Sequence, residues 1–261
     1  MIKIFVLGHE GMLGRSVFKY FSQLDEYVLE STNLRWPQNT FKEAILSSNA
    51  DFIINCIGKI PQKSDTGDYQ TLNIDLPIFL ETSGKKVIHP STDCEFSGSL
   101  AAGLKYHRDS VRDARDDYGK SKAFISKKIE EEFRNTKIIR TSIIGHEKST
   151  RRSLLDWFLA SEKEVGGYVN HFWNGITTLE WAKQSQKLIE DWNNRPLLTQ
   201  IGTNTNKSKY ELLVIVKEIY QKKISIKKVH ASDNINKSLV SDYPIINIEN
   251  QLAELRDFLK K

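Results

Sequence analysis

The chain has 261 residues, 39% of them hydrophobic and 27% charged, a balance that builds a sizeable core and excludes wholesale disorder. Thirty-eight cations against 33 anions leave a net charge of +5, which suits anionic ligands but falls far short of a nucleic-acid-binding excess. No run of about 18 apolar residues is present, so no membrane insertion is expected, and two cysteines, Cys56 and Cys94, cannot build a disulfide framework, which points to a reducing cytoplasm. Residues 2–7 read as a strand ending in Gly8, and 12–23 as an amphipathic helix. Residues 26–30 form a second strand. Residues 51–58 are apolar at successive positions, as in a strand buried on both faces. A helix covers 69–83, with Asp75 and Pro77 suited to a start partway along. Strands at 86–89 and 137–140 flank a helix over 118–133, where Ile125, Ile129 and Phe133 recur at spacings of four. Further on, helices are predicted at 153–161, 178–192, 208–220 and 249–260, and strands at 197–201 and 223–228. This alternation predicts an α/β fold: a Rossmann-type, doubly wound parallel sheet with a smaller mixed α/β C-terminal lobe.

The turn after the first strand is Gly8-His9-Glu10-Gly11-Met12-Leu13-Gly14. Gly8 permits the tight turn, Gly11 lets the backbone approach a pyrophosphate, and Gly14 lets the helix pack closely on the strand. The helix N-terminus offers free N–H groups and positive potential to phosphates. Without a ligand, these would be three turn glycines. Glu30 sits where an acid would hydrogen-bond the ribose of NAD. Arg15, Ser31, Thr32 and Arg35 surround that position and suit a 2′-phosphate, which favours NADPH over NADH.

Tyr118 and Lys122 stand at i and i+4, on one helix face. A cation beside a phenol favours phenolate, so Lys122 is expected to lower the Tyr118 pKa and fit it for proton exchange with a carbonyl or alcohol oxygen. Ser91, Thr92 and Asp93 follow the 86–89 strand, at the sheet edge where open α/β folds bind ligands.

Together, Gly8-x-x-Gly11-x-x-Gly14, Asn55-Cys56-Ile57-Gly58, Asn73, Ser91-Thr92-Asp93, Tyr118-x-x-x-Lys122 and Arg140-Thr141-Ser142 resemble the extended short-chain dehydrogenases/reductases. Residues 91–98 and 176–179 are most similar to the dTDP-4-dehydrorhamnose reductase group. The resemblance implies an NAD(P)H-dependent oxidoreductase that reduces a 4-keto group on a nucleotide-linked deoxysugar, in bacterial-type surface polysaccharide sugar biosynthesis. By it, Tyr118 donates the proton, Lys122 holds the nicotinamide ribose, and Ser91 or Thr92 polarises the carbonyl. Gly8, Gly11, Met12, Leu13, Gly14, Arg15, Ser31, Asn55, Cys56, Gly58 and Lys122 bind the cofactor. Asp93, Cys94, Thr141, His146, Arg151 and Trp173 face the substrate. No metal set of suitable spacing is found. The implied division is 1–145 for the dinucleotide and 146–261 for the nucleotide sugar, the second packed on or interleaved with the first. The Tyr118 helix is a homodimer interface by the same analogy.

Two departures qualify this reading. Cys94 replaces the group's tyrosine and reads as a small apolar residue rather than a nucleophile. Many sugar-nucleotide dehydratases of the superfamily carry an acidic pair after the threonine, Thr-Asp-Glu, whereas here the order is Thr92-Asp93-Cys94 and Glu95 is one place late. In an extended segment that slip turns it to the opposite face, which argues for simple reduction. The alternatives are an epimerase or dehydratase of the same superfamily, and a non-catalytic reductase-like regulatory subunit. The intact Tyr118/Lys122 pair argues against the last.

Overall fold

The first strand sets the architecture. In β1 (Ile2–Leu7), Ile4 and Val6 pack with one core cluster and Phe5 and Leu7 with another, and all four are buried. A strand buried on both faces needs a helical layer on each side. The computed structural model of the protein describes residues 1–62, 68–148 and 152–260 and shows those layers. After β1 come α1 (Met12–Phe21), β2 (Tyr27–Ser31), α2 (Asn39–Ser47), β3 (Phe52–Asn55), a π-helical turn at Gln70–Asp75 running into α3 (Leu76–Thr82), β4 (Lys86–Ser91), α4 (Asp117–Glu132) and β5 (Thr136–Arg140). The second half holds β6 (Ile143–Ile144), α5 (Leu154–Ala160), β7 (Val165–Tyr168), β8 (His171–Trp173), β9 (Ile176–Thr177), α6 (Thr178–Glu190), β10 (Leu198–Gln200), β11 (Lys207–Ser208), α7 (Lys209–Ile219), β12 (Ile226–Val229), β13 (Ile235–Asn236) and α8 (Ile248–Lys260).

The main sheet is parallel throughout, in the order β2-β1-β3-β4-β5-β10. It is a Rossmann-like α/β fold. The halves interleave, because β10 completes the sheet and α6 packs against α1. Leu13, Val17 and Phe21 of α1 and Trp181, Ala182, Leu188 and Ile189 of α6 cover one face, over Ile4, Val6, Ile54, Ile88 and Ile139. Phe41 and Ile45 of α2 and Leu76 and Leu80 of α3 cover the other, over Phe5, Leu7, Ile53 and Val87. Farther along it, Ile125 and Ile129 of α4 and Phe133 at its end pack on Ile138 and Leu198.

The helices α2 and α3 differ from expectation for local reasons. α2 was not anticipated; Phe41 and Ile45, four apart, give it only a two-residue apolar stripe. The 69–83 helix is one continuous run, but its first part is wound wide as a π turn, which brings Asn73 inward. The remaining short strands make small sheets in the second half, β11-β8-β13, β12-β7 and β6-β9. Around them Leu155, Phe158, Leu212, Leu213, Val216, Ile248, Leu252 and Leu255 form a separate core. No helix among the described residues is long and apolar enough to cross a membrane.

Candidate active site

The strand order reverses between β1 and β3, the place where open α/β sheets leave a crevice beyond their C-terminal edge. A cleft of about 400 Å³ opens there. The glycine turn forms its floor. Gly8 has φ +71°, and its carbonyl accepts the Gly11 N–H at 2.9 Å. A Cβ on Gly14 would lie 2.1 Å from the Gly8 oxygen, so only glycine lets α1 start this close to β1. Gly11 caps α1 with no side-chain hydrogen bond, and Gly11, Met12 and Leu13 line the cleft. Gly14→Ala is therefore expected to displace the turn, costing about 1–3 kcal/mol of stability and roughly tenfold or more in dinucleotide affinity. Thermal unfolding and cofactor titration check both.

Cys56 and Gly58 also line the cleft, in the loop after β3. Burial pushes the Cys56 thiol far up, which makes it inert. Asn73 braces this loop: its Oδ1 accepts the Lys59 N–H at 2.8 Å, while its Nδ2 donates to the Lys59 carbonyl and to Ser121 on α4, both at 3.1 Å. Asn55 departs from expectation. It is fully buried behind the cleft and hydrogen-bonds His89 and Ile57. Gly8, Gly14, Arg15 and Ser31 likewise do not line the cleft. The two glycines shape the turn, Arg15 is exposed on α1, and Ser31 is exposed at the end of β2. Glu30 accepts a hydrogen bond from Ser48 at 3.0 Å.

The second wall comes from β4 and α4. Ser91, Thr92, Asp93, Cys94, Tyr118 and Lys122 all line the cleft. Thr92 caps a short 3₁₀ turn, Asp93–Glu95, by accepting the Cys94 N–H at 3.1 Å. That turn holds Thr92 against Tyr118. Burial raises the Tyr118 phenol well above its ordinary value, and the nearby Thr92 side chain offsets this in part. The expectation that Lys122 lowers the phenol does not hold. Its Nζ donates to the Pro90 carbonyl at 2.6 Å and lies 3.1 Å from His89 Nε2. Burial lowers Lys122 itself to about 8, against the opposing pull of Glu95.

Ser91 also differs from its expected role. Its hydroxyl donates to Glu95 and lies 3.0 Å from the Ser126 hydroxyl, so it is committed to a buried network. Glu95 anchors that network. It is turned away from the cleft, not by a strand slip but by the 3₁₀ turn. Its Oε2 lies 2.7 Å from both Arg112 and Arg140, and Arg140 is fully buried.

On the far side the cleft meets the second half of the chain through Thr141, Trp173, Trp181, Lys209 and Leu212. His146 is not among the lining residues, contrary to expectation. Its Nδ1 pairs with Asp156 at 2.6 Å and its Nε2 with the Tyr220 hydroxyl at 2.9 Å. Burial works against the Asp156 charge, but hydrogen bonds from His146 and the Glu147 N–H hold its carboxyl below the usual range. Arg151 lies outside the described residues. Lys209 was missed. It lies at the start of α7 with its Nζ 5.6 Å from the Trp173 ring centre, and burial lowers its pKa against the pull of Asp93. Its only signal in the sequence was one lysine among many. Among the described residues, no cluster of three or more metal-ligating side chains forms.

No family model matches the chain, and no curated protein matches it by sequence. Solved structures do. It is similar to a dTDP-4-dehydrorhamnose reductase from Clostridium acetobutylicum, with TM-score 0.82, 16% identity and both chains fully covered. A dTDP-4-dehydrorhamnose reductase from Bacillus anthracis in complex with NADP gives 0.82 at 15% identity, again with both chains fully covered. A dTDP-glucose 4,6-dehydratase from Bacillus anthracis in complex with NAD gives 0.77 at 15% identity, over 100% of this chain and 97% of that one. The chain thus has the fold of the extended short-chain dehydrogenases/reductases, with dTDP-4-dehydrorhamnose reductases among its structural neighbours.

Proposed function

We propose that the protein reduces the 4-keto group of a nucleotide-linked deoxysugar with NADPH. The observation that carries this reading is the meeting of Thr92, Tyr118 and Lys122, the last one helical turn on from Tyr118, in the same cleft as the uncapped start of α1. The cofactor's fit is supported by the glycine turn, where Gly11 leaves room for a pyrophosphate and the first turn of α1 offers its N–H groups. Glu30 is engaged by Ser48, while Arg15, Ser31 and Arg35 are exposed, which favours the phosphorylated cofactor. Structural neighbours in complex with NADP and NAD support a nicotinamide cofactor. When bound, the nicotinamide supplies the hydride.

The chain's own residues do the rest. Thr92 and Tyr118 hold the substrate oxygen between two hydroxyls. Tyr118, kept as phenol by burial, releases its proton as the alkoxide develops. Lys122 contacts the ribose and replenishes the phenol. Asp93, Cys94, Thr141 and Trp173 shape the sugar side. The sequestration of Glu95 leaves Asp93 alone of the dehydratases' acidic pair in the cleft, which favours reduction over dehydration. The half-exposed Phe124 on α4 supports a homodimer through that helix, and the two free cysteines support a reducing cytoplasm. Residues 1–145 serve the cofactor and 146–261 the substrate, in polysaccharide sugar biosynthesis.

Lys209 takes a substrate oxygen in this scheme. Lys209→Met is expected to raise KM for the nucleotide sugar by about tenfold or more, with kcat little changed. The unfolding temperature should hold or rise, since a buried charge is removed. The function is tested with NADPH and a panel of 4-keto sugar nucleotides. A reductase oxidises one NADPH per product formed, whereas an epimerase or dehydratase shows no net oxidation.

A further inference from the structure

Tyr118 is the second residue of α4, so no preceding helical turn confines its ring, and the ring is half-buried. A reacting group displaced by about 1 Å can lose roughly two orders of magnitude in rate. The aim of this ring therefore depends on contacts from outside α4. Tyr69 supplies one: its ring packs on that of Tyr118, with centroids 6.0 Å apart and a tilt of 49°. Tyr69 does not line the cleft, and none of the motifs named above includes it.

Tyr69 is itself held in place. It immediately precedes the π turn at Gln70–Asp75. Asp68 accepts the Thr71 N–H of that turn at 2.5 Å, and the Trp36 indole donates to the Thr71 carbonyl at 2.9 Å. The wide turn carries Asn73 inward, where its amide joins the Lys59 backbone to the Ser121 hydroxyl. The Ser121 hydroxyl in turn donates to the Tyr118 carbonyl at 2.7 Å. Lys59 closes the circuit, with its Nζ 5.7 Å from the centre of the Tyr69 ring. Tyr118 is thus held at two points, its backbone through Ser121 and Asn73 and its ring through Tyr69. The backbone contact leaves rotation about the side-chain bonds free, and the ring contact opposes it.

We propose that Tyr69 is a positioning residue for the reaction: its ring backs Tyr118 and keeps the phenol hydroxyl beside Thr92, facing the substrate oxygen. The proposal rests on the reading of Tyr118 as the proton donor. It assigns the effect to the flat ring and not to the Tyr69 hydroxyl. An aromatic pair of this kind biases a ring's orientation by about tenfold, which sets the size of the expected loss.

The test is a double-mutant cycle in the full chain, with NADPH and a 4-keto sugar nucleotide that the wild type reduces. Tyr69→Ala is expected to lower kcat about tenfold and to leave KM for NADPH unchanged, while Tyr69→Phe keeps the wild-type kcat. In a Tyr118→Phe background, Tyr69→Ala should cost nothing more, because no proton donor remains to be aimed. A residue that merely supports the fold would lower turnover in both backgrounds. Equal losses in the two backgrounds, a wild-type kcat in Tyr69→Ala, or a Tyr69→Phe variant as slow as Tyr69→Ala each overturns the proposal. Should Tyr69→Ala fail to fold, Tyr69→Leu, which keeps apolar bulk without a flat face, takes its place. Should no 4-keto sugar nucleotide be reduced, the function proposed above fails, and spectra of the free chain with labelled tyrosine rings decide the positioning. A nuclear Overhauser effect between Thr92 and the Tyr118 ring, present in wild type and Tyr69→Phe and lost in Tyr69→Ala, sustains it. One that is absent from the wild type or survives in Tyr69→Ala overturns it.

Discussion

Replacing Tyr118 by phenylalanine is expected to lower kcat by about 10²–10⁴-fold, the usual worth of a positioned general acid. The ring is half-buried and packs on Tyr69 at a tilt of 49°, with centroids 6.0 Å apart, so the phenyl group should keep its place. Only the hydroxyl is lost, a change in stability of about 1 kcal/mol or less. Cofactor affinity should be unchanged, because Lys122 and the glycine turn remain. Steady-state kinetics with saturating NADPH check the first expectation, and cofactor titration the second. Equal turnover in wild type and Tyr118→Phe would remove Tyr118 from the reaction. A parallel loss of NADPH affinity would mean the ring supports the cofactor instead.

Glu95→Gln is the second large effect, and it falls on stability. The change keeps the shape of the side chain but leaves the fully buried Arg140 without its carboxylate, while Arg112 keeps its pair with Glu130. Breaking a buried pair in this way costs about 3–5 kcal/mol, which corresponds to a fall in Tm of roughly 6–20 °C for a domain of this size. Ser91 and Ser126 lose their common acceptor as well. Calorimetry or circular dichroism measures the change. A loss below about 1 kcal/mol would show the pair to be screened like one on the surface. The network joins β4, β5, α4 and the loop carrying Arg112, so its failure should also loosen Thr92 and raise KM.

The sequence was most informative where one residue type answers one backbone demand. The apolar run of β1, the glycine turn and the two-sided burial of β3 follow from period and from the absence of a Cβ, and each could be placed by local rules. Thr92, Asp93, Cys94, Tyr118, Lys122, Thr141 and Trp173 were named from motif spacing, and the fold brings all of them to one cleft. What escaped was the direction of side chains that only a turn or a distant partner decides. Ser91 and Thr92 are adjacent hydroxyls, yet the 3₁₀ turn after them folds Glu95 beneath the strand, and Ser91 follows it. His146 has the polarity of a ligand contact, but Asp156 and Tyr220 occupy both its ring nitrogens. Lys209 lies 87 positions beyond Lys122 and reaches the cleft only because α7 begins beside Trp173. The predicted effect of Lys122 on Tyr118 failed for a related reason: a helical spacing of four puts two side chains on one face but does not say that a backbone carbonyl and a histidine will hold the cation first.

If the cleft moves a hydride to a sugar carbon and does not return it, deuterium from C4-deuterated NADPH can be followed in a single incubation with a 4-keto nucleotide sugar. One NADPH should be consumed per product, with the label retained at C4 of the reduced sugar. Product formed with the cofactor still reduced and no label at C4 would contradict this reading.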